Sequence, residues 1–272
     1  MLFAACSPST MALRAAVPML DKGAVAFYEE PDPALARDAF PAQLKMLEGI
    51  LQNDPGNPRL KRMLAEGFGG YAFLFLEETE PERAKGAYLR GRDYALSTLR
   101  APLKDLNALT LEEAGKALSS AGPADVEGLF WTGYGWGGWI NLSKDTPEAV
   151  ADLPKVVAIM ERVNALSPGF YFGGAELFLG SYDAARPRML GGDPAKAKAR
   201  FEQALAFTEG RFLPAKVLYA QYYAVATQDA DLFKKLLDEV VESKDELPKA
   251  RLANAVAKLK AKRLLKKTND LF

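Results

Sequence analysis

Gly128-Leu-Phe-Trp-Thr-Gly-Tyr-Gly-Trp-Gly-Gly-Trp-Ile-Asn-Leu142 is the stretch on which the reading of this chain turns. All three tryptophans, Trp131, Trp136 and Trp139, lie in it, interleaved with Gly133, Gly135, Gly137 and Gly138. Wound as a helix, it places Trp131, Gly135, Gly138 and Leu142 on one stripe and Trp136 and Ile140 on another. Four interior glycines cost such a helix about 3–4 kcal/mol against alanine, so tertiary contacts must offset them. Glycine admits close backbone approach, and tryptophan brings a large apolar surface with an N–H that wants a partner when buried. The stretch therefore predicts a central helix, apolar nearly all round. Close packing against other helices and the wall of a binding cavity are both consistent with it.

Working outward, composition removes most chemistries. The chain of 272 residues is long enough for a large core, and its 35 basic and 35 acidic residues cancel. No field draws it to nucleic acid. The absence of histidine excludes Ser-His-Asp and Cys-His catalysis, His-liganded zinc and imidazole acid–base work. A single cysteine makes neither an internal disulfide nor a multi-cysteine metal site. The expectation is a protein with no catalytic residues, no metal and no cofactor. No run of eighteen apolar residues offers a membrane span.

The first residues, Met-Leu-Phe-Ala-Ala-Cys6, are followed by Ser7-Pro8-Ser9-Thr10. Small residues directly before a lone cysteine look like the end of a bacterial lipoprotein signal, in which the cysteine is lipidated. Five residues are too few for a whole signal peptide, so either the start lies further upstream or the likeness is accidental and Cys6 is a free thiol; the first reading is the expectation. Residues 1–10 are then signal remnant and tether, and 11–272 one helical domain, with Cys6 the lipid attachment point.

From Met11 onward the signals are helical. A first helix over about 11–28 is followed by an extended Glu30-Pro31-Asp32-Pro33 break. Asn57-Pro58, Thr146-Pro147 and Asp193-Pro194 each place a capping side chain before a proline at the first helical position, and Thr110-Leu-Glu-Glu113 fits a capping box. No alternating strand is convincing. Helices pair over about 58–77 with 81–100, 125–142 with 147–166, 169–185 with 194–207, and 211–226 with 230–242, before a last helix over 248–267. First helices recur every 37–44 residues or so, longer than the tetratricopeptide (TPR) repeat. Ala197, Phe201 and Ala204 after Asp193-Pro194 have the spacing of a TPR second helix, echoed by Ala84 and Tyr88. Small residues there let a partner helix approach while the ring fills the gap between repeats. The fold class expected is all-α, an irregular TPR-like α-solenoid of antiparallel helix pairs.

Several runs in order resemble one family. They are Glu66-Gly-Phe-Gly-Gly-Tyr-Ala72, Arg83-Ala-Lys85 with Tyr88, and Arg90-Gly-Arg-Asp-Tyr-Ala95. After them come Trp136/Trp139-Ile-Asn-Leu-Ser143, Phe178-Leu-Gly-Ser-Tyr182, Gly191-Gly-Asp-Pro194, Leu252-Ala-Asn254 and Asp270-Leu-Phe272. Together, from about residue 40 to the end, they are similar to the T component associated with TRAP transporters, the TatT family of TPR-like lipoproteins. The resemblance implies a helical body tethered by a lipidated cysteine in the bacterial envelope, in the periplasm. It also implies a periplasmic solute-binding protein as partner and, through it, an ATP-independent importer. Homo-oligomers, a trimer among them, and an apolar cavity for a hydrophobic or organic-acid ligand are further implications.

In a TPR-style stack, first helices face the concave side. That brings Phe68, Tyr71, Trp136, Trp139, Tyr171, Phe172, Tyr219 and Tyr222 towards one surface as candidate ligand contacts, with inter-repeat core as the bland alternative. Asn141 and Glu176 are candidate polar anchors; Glu176, inside an apolar run, calls for a partner such as Arg186 or Arg188, or for water. On the last helix, Leu252, Val256 and Leu259 are expected to dock, leaving a basic solvated face. Two other classes fit less of the pattern. A general TPR scaffold would show an open polar groove, and a carboxylate enzyme on a helical toroid two facing carboxylates in a cleft.

Overall fold

A computed structural model describes residues 14, 19–20, 22–244 and 247–272. Cys6 and the expected tether lie outside the described residues. Every described element is helical. We number the helices α1 (Pro33–Leu51), α2 (Pro58–Tyr71), α3 (Pro81–Leu96), α4 (Leu111–Ser119), α5 (Val126–Asn141), α6 (Pro147–Leu166), α7 (Phe170–Ala185), α8 (Pro194–Phe207), α9 (Leu213–Leu218), α10 (Ala230–Glu242), α11 (Arg251–Leu265) and α12 (Thr268–Leu271). Residues 22–28, before α1, are also helical.

Local sequence signals account for the starts. The Asn57 side chain accepts from the N–H groups of Arg59 and Leu60, and Asp193 accepts from Ala195 and Lys196. Thr110 and Glu113 complete both halves of the capping box. Thr146 does not behave as expected: its side chain makes no capping bond, and α6 begins on Pro147 alone. The extended stretch at Glu30–Asp32 is short, because Asp32 caps α1 through Ala34 and Leu35 and Pro33 is already helical.

Consecutive helices pack in pairs, α2 on α3, α5 on α6, α7 on α8, and α9 on α10. The α3–α5 crossing is unusually close: a Cβ on Gly135 would sit 2.6 Å from the Tyr88 carbonyl and 2.9 Å from the Arg92 nitrogen. Ala197, Phe201 and Ala204 are wholly buried, and Phe201 stacks on Tyr219 of the following pair at 4.9 Å. Helix α11 does more than end the row. Leu252 and Val256 share a core with Leu60, Leu64 and Phe68, while Lys260 and Arg263 both pair with Glu78. The last long helix thus returns to the first ones, so the helices encircle a common interior. Leu259, expected to dock, is 45% exposed instead.

Candidate functional site

The interior holds two adjoining cavities. The larger, a chamber of about 570 Å³, is bounded by α2, α5, α7, α9 and α11, together with the start of α6. The smaller, a vestibule of about 430 Å³, lies between residues 24–28, α1, α2 and the start of α5. Tyr28, Phe40, Glu66 and Gly67 border both and form the partition. The helices run along this space rather than across it. On α5 the lining residues are Glu127 in the vestibule, then Phe130, Tyr134, Gly137, Gly138 and Asn141, which share one face of the helix over about 20 Å, with Ile140 at its edge. Four of the bounding helices, α2, α5, α7 and α9, are the first members of their pairs.

Six phenylalanines and six tyrosines line the chamber. Glycines let these rings lie flat on the helices. A Cβ on Gly137 would meet Phe178 at 2.5 Å, one on Gly138 would meet Tyr88 at 2.5 Å, and one on Gly174 would meet Phe130 at 2.6 Å. Three lining helices also leave α geometry at the chamber. Helix α2 continues as a π turn over Ala72–Leu76, which carries Phe73 and Leu74, and α9 as one over Tyr219–Ala224, which carries Tyr222. Helix α7 opens with a left-handed turn, with φ of 46° at Tyr171, 60° at Phe172 and 76° at Gly173. Such irregularities concentrate at functional sites.

The polar groups are few. Glu66 stands in the partition, and the phenols of Tyr28 and Tyr171 donate hydrogen bonds to its carboxyl. Among the described residues no Lys or Arg forms an ion pair with it. Burial pushes its pKa up to about 7; the two phenols oppose the shift and the Glu127 charge adds to it. Glu77, at the other end of the α2 face, is also pushed up by burial, opposed by the Lys260 charge and by the Tyr88 hydroxyl that donates to it. Burial raises the Tyr28, Tyr88, Tyr134 and Tyr171 phenols well above the ordinary range, so all stay protonated donors. In the vestibule, Arg62 pairs with Glu127 at 3.1 Å. At the opposite end of the chamber the lining includes Lys144, Arg186 and Lys249, of which Lys144 and Lys249 are exposed.

Of the residues singled out from sequence, Asn141, Tyr171, Phe172 and Tyr222 line the chamber. Asn141 also hydrogen-bonds Tyr222, whose phenol burial pushes up to about 12. The others sit elsewhere. Phe68 stacks on Tyr94 under Arg90, and Tyr71 packs between Phe40 and Phe75. Trp136 is buried between Lys155 and Arg92, 4.9 and 5.5 Å from its ring, and Trp139 packs between two cores. Tyr219 backs Phe201. Glu176 pairs with neither Arg186 nor Arg188: Arg200 reaches it at 2.8 Å, and Asn164 donates to its other oxygen at 2.7 Å. Arg186 instead lies over the Tyr182 ring. Sequence reasoning did not single out Glu66, Glu77, Tyr28, Tyr88 or Tyr134 as site residues. A glutamate inside an otherwise apolar, glycine-rich run was the signal available for Glu66.

Comparison with known proteins adds two findings. A family model described as TRAP transporter T-component matches residues 29–272. An uncharacterized protein of Treponema pallidum (strain Nichols) is 26% identical over 265 residues, spanning 90% of this chain and 82% of that protein.

Proposed function

We propose that this chain, which belongs to the TRAP transporter T-component family, holds an apolar or amphipathic organic ligand in its aromatic chamber on behalf of a TRAP-type uptake system. The observation that carries this reading is the chamber itself. About 570 Å³ lined by twelve aromatic rings and a few fixed polar groups has the size and character of a small-molecule site. Lys144, Arg186 and Lys249 suit an acidic head at the exposed end, with the apolar body directed inward past Asn141 and Tyr222. A mostly apolar, aromatic interior also favours this reading over a peptide-binding scaffold, which needs an open polar groove. None of the described helices is long and apolar enough to cross a membrane. The periplasmic location therefore rests on the envelope system to which the family belongs, with Cys6 as lipid attachment, a periplasmic solute-binding protein as partner and a homo-oligomeric assembly.

Gly70 offers a clean test, because it lines the chamber and has no atom within 4 Å of a Cβ built on it. Dansylaminoundecanoate should brighten on binding the wild-type protein, and Gly70→Trp should abolish the signal while leaving the helical circular dichroism unchanged. Equal brightening by a folded Gly70→Trp protein would remove the chamber as the ligand site.

A further inference from the structure

Glu66 occupies a place that packing alone does not explain. It borders both cavities, it faces the chamber's apolar space, and its polar contacts are two phenols rather than a cation. The groups around it are Tyr28 from residues 22–28, Tyr134 and Glu127 from α5, Tyr171 from α7, and Arg59 and Arg62 from its own helix. Arg62 is engaged with Glu127, and helix α1 contributes only Phe40, Gln43, Leu44 and Leu47 to this side. Glu77, the chamber's other carboxyl, differs in having the Lys260 charge beside it.

We infer that the ligand is a long-chain monoanionic amphiphile whose tail covers Glu66, so that loading the chamber places a proton on that carboxyl. The inference rests on the chamber being the ligand site. With the head among Lys144, Arg186 and Lys249, beyond the C-terminal end of α5, the last two turns of that helix, from Tyr134 to Asn141, separate it from the level of Glu66, roughly 10 Å along the axis before the turn to Lys144 is counted. An extended chain spans that distance; a short acid does not. A tail lying against Glu66 expels the water that solvates the carboxylate, and no cation takes the water's place. An ionised carboxyl is then costly, whereas a protonated one keeps its phenol contacts at little expense. Since Glu66 already titrates near 7, small changes in its surroundings move its charge across neutrality. By linkage, proton uptake on binding means that affinity falls as pH rises, and that a rise in pH promotes release.

Calorimetry with dodecanesulfonate below its micellar concentration tests this, because the sulfonate head stays ionised throughout the range used. Wild-type affinity should fall from about pH 6 to about pH 8.5, approaching tenfold per unit above neutrality. Titrations at neutral pH in two buffers of different protonation enthalpy should show uptake of roughly half a proton per ligand, as expected for a group half protonated beforehand. Glu66→Gln, which mimics the protonated form, should bind tightly at every pH and take up none. Butanesulfonate, too short to reach Glu66, should bind without proton uptake. Wild-type binding that is intact but shows neither pH dependence nor proton uptake would overturn the inference and leave the chamber as the site. A Glu66→Gln protein that retains the wild-type slope would overturn it in favour of another group. Absence of dodecanesulfonate binding by the wild type at any pH would remove both readings. Should Glu66→Gln not fold, the two-buffer measurement on the wild type decides alone.

Discussion

Tyr171 reaches the carboxyl of Glu66 from a left-handed backbone, with φ 46° and ψ 59°. Phe172 beside it, at φ 60°, stacks on Phe212 at 4.6 Å. An L-residue in this region costs on the order of 1–2 kcal/mol, and two bulky aromatics in succession add that cost twice. Packing over-determines the turn: Tyr171 lies 4.7 Å from Trp131 and 5.4 Å from Phe130, ring centre to ring centre. A right-handed start to α7 would direct both rings elsewhere. The turn thus links a backbone irregularity to the position of one hydroxyl at the partition.

Tyr171→Phe should leave that turn in place, because the ring contacts remain, while removing one donor to Glu66. The bond from Tyr171 holds the Glu66 pKa down, so its loss should move the titration above the wild-type value of about 7. Carbon-13 NMR of glutamate side-chain carboxyls would follow this directly. An unchanged or lower midpoint would mean that the phenol does not serve the carboxyl.

Glu66 should also leave a mark on stability. Its folded pKa lies above the value for an exposed glutamate, so between about 4.5 and about 7 the folded state binds more protons than the unfolded state. Stability therefore falls as pH rises through that window, by up to about 3 kcal/mol for this group. Glu66→Gln should match the wild type near pH 4.5 and exceed it at pH 8. Glu77, shifted in the same direction, keeps part of the slope in the variant. Urea denaturation at the two pH values measures the difference.

How much of this was legible in the sequence depended on how local the signal was. The caps at Asn57, Asp193 and Thr110 involve residues two or three apart, and the helix starts follow from them. Pairing followed from period and loop length. The cavity face of α5 did not, because the helix is apolar on every side and its periodicity cannot separate chamber from crossing. Trp136 and Asn141 lie five residues apart on that helix, yet Trp136 sits between Arg92 and Lys155 while Asn141 borders the chamber. Glu66 acquires its setting from Tyr28, about forty residues before it, and Tyr171, more than a hundred after it. Three consecutive positive φ values in Tyr171-Phe172-Gly173 contradict the propensities of the first two residues, so only tertiary packing could reveal them.

Arg200 carries a second long-range dependence. It contacts Glu176 at 2.8 Å, Asp183 at 3.1 Å and Glu161 at 2.6 Å, tying α8 to α7 and α6. Glu176 and Asp183 are buried, so Arg200→Met leaves Glu176 with Asn164 alone and Asp183 with the longer Lys196 contact at 3.9 Å, and should cost about 3–5 kcal/mol at neutral pH. The cost should shrink in acid as Asp183, whose carboxyl burial pushes up, takes a proton. Arg200→Lys should recover little, since an ammonium cannot span three acceptors as the planar fork does. Denaturation midpoints at two pH values separate these outcomes.

The glycines of the central stretch are predicted to fall into two kinds, and substitution should tell them apart. At Gly135 an added methyl meets backbone, the Tyr88 carbonyl at 2.6 Å and the Arg92 nitrogen at 2.9 Å. Backbone cannot turn aside as a side chain can, so α3 and α5 must separate, and that opens a backbone-to-backbone crossing. Gly135→Ala should therefore destabilise by about 1–3 kcal/mol, despite the gain in helix propensity. At Gly137 and Gly138 the methyl meets the rings of Phe178 and Tyr88, which line the chamber. Those rings can shift into empty space, so the loss of stability should be smaller, and the change should appear as a reshaped chamber and altered ligand affinity. Gly70 sets the baseline: it lies in the same chamber with nothing to obstruct a methyl, and Gly70→Ala should hold or gain up to about 1 kcal/mol. Urea midpoints for the four alanine variants, set beside their dansylaminoundecanoate affinities, should place Gly135 apart on stability and Gly137 and Gly138 apart on binding. If Gly135→Ala proves as harmless as Gly70→Ala, the α3–α5 crossing is looser than this geometry, and the chamber it frames must be redrawn.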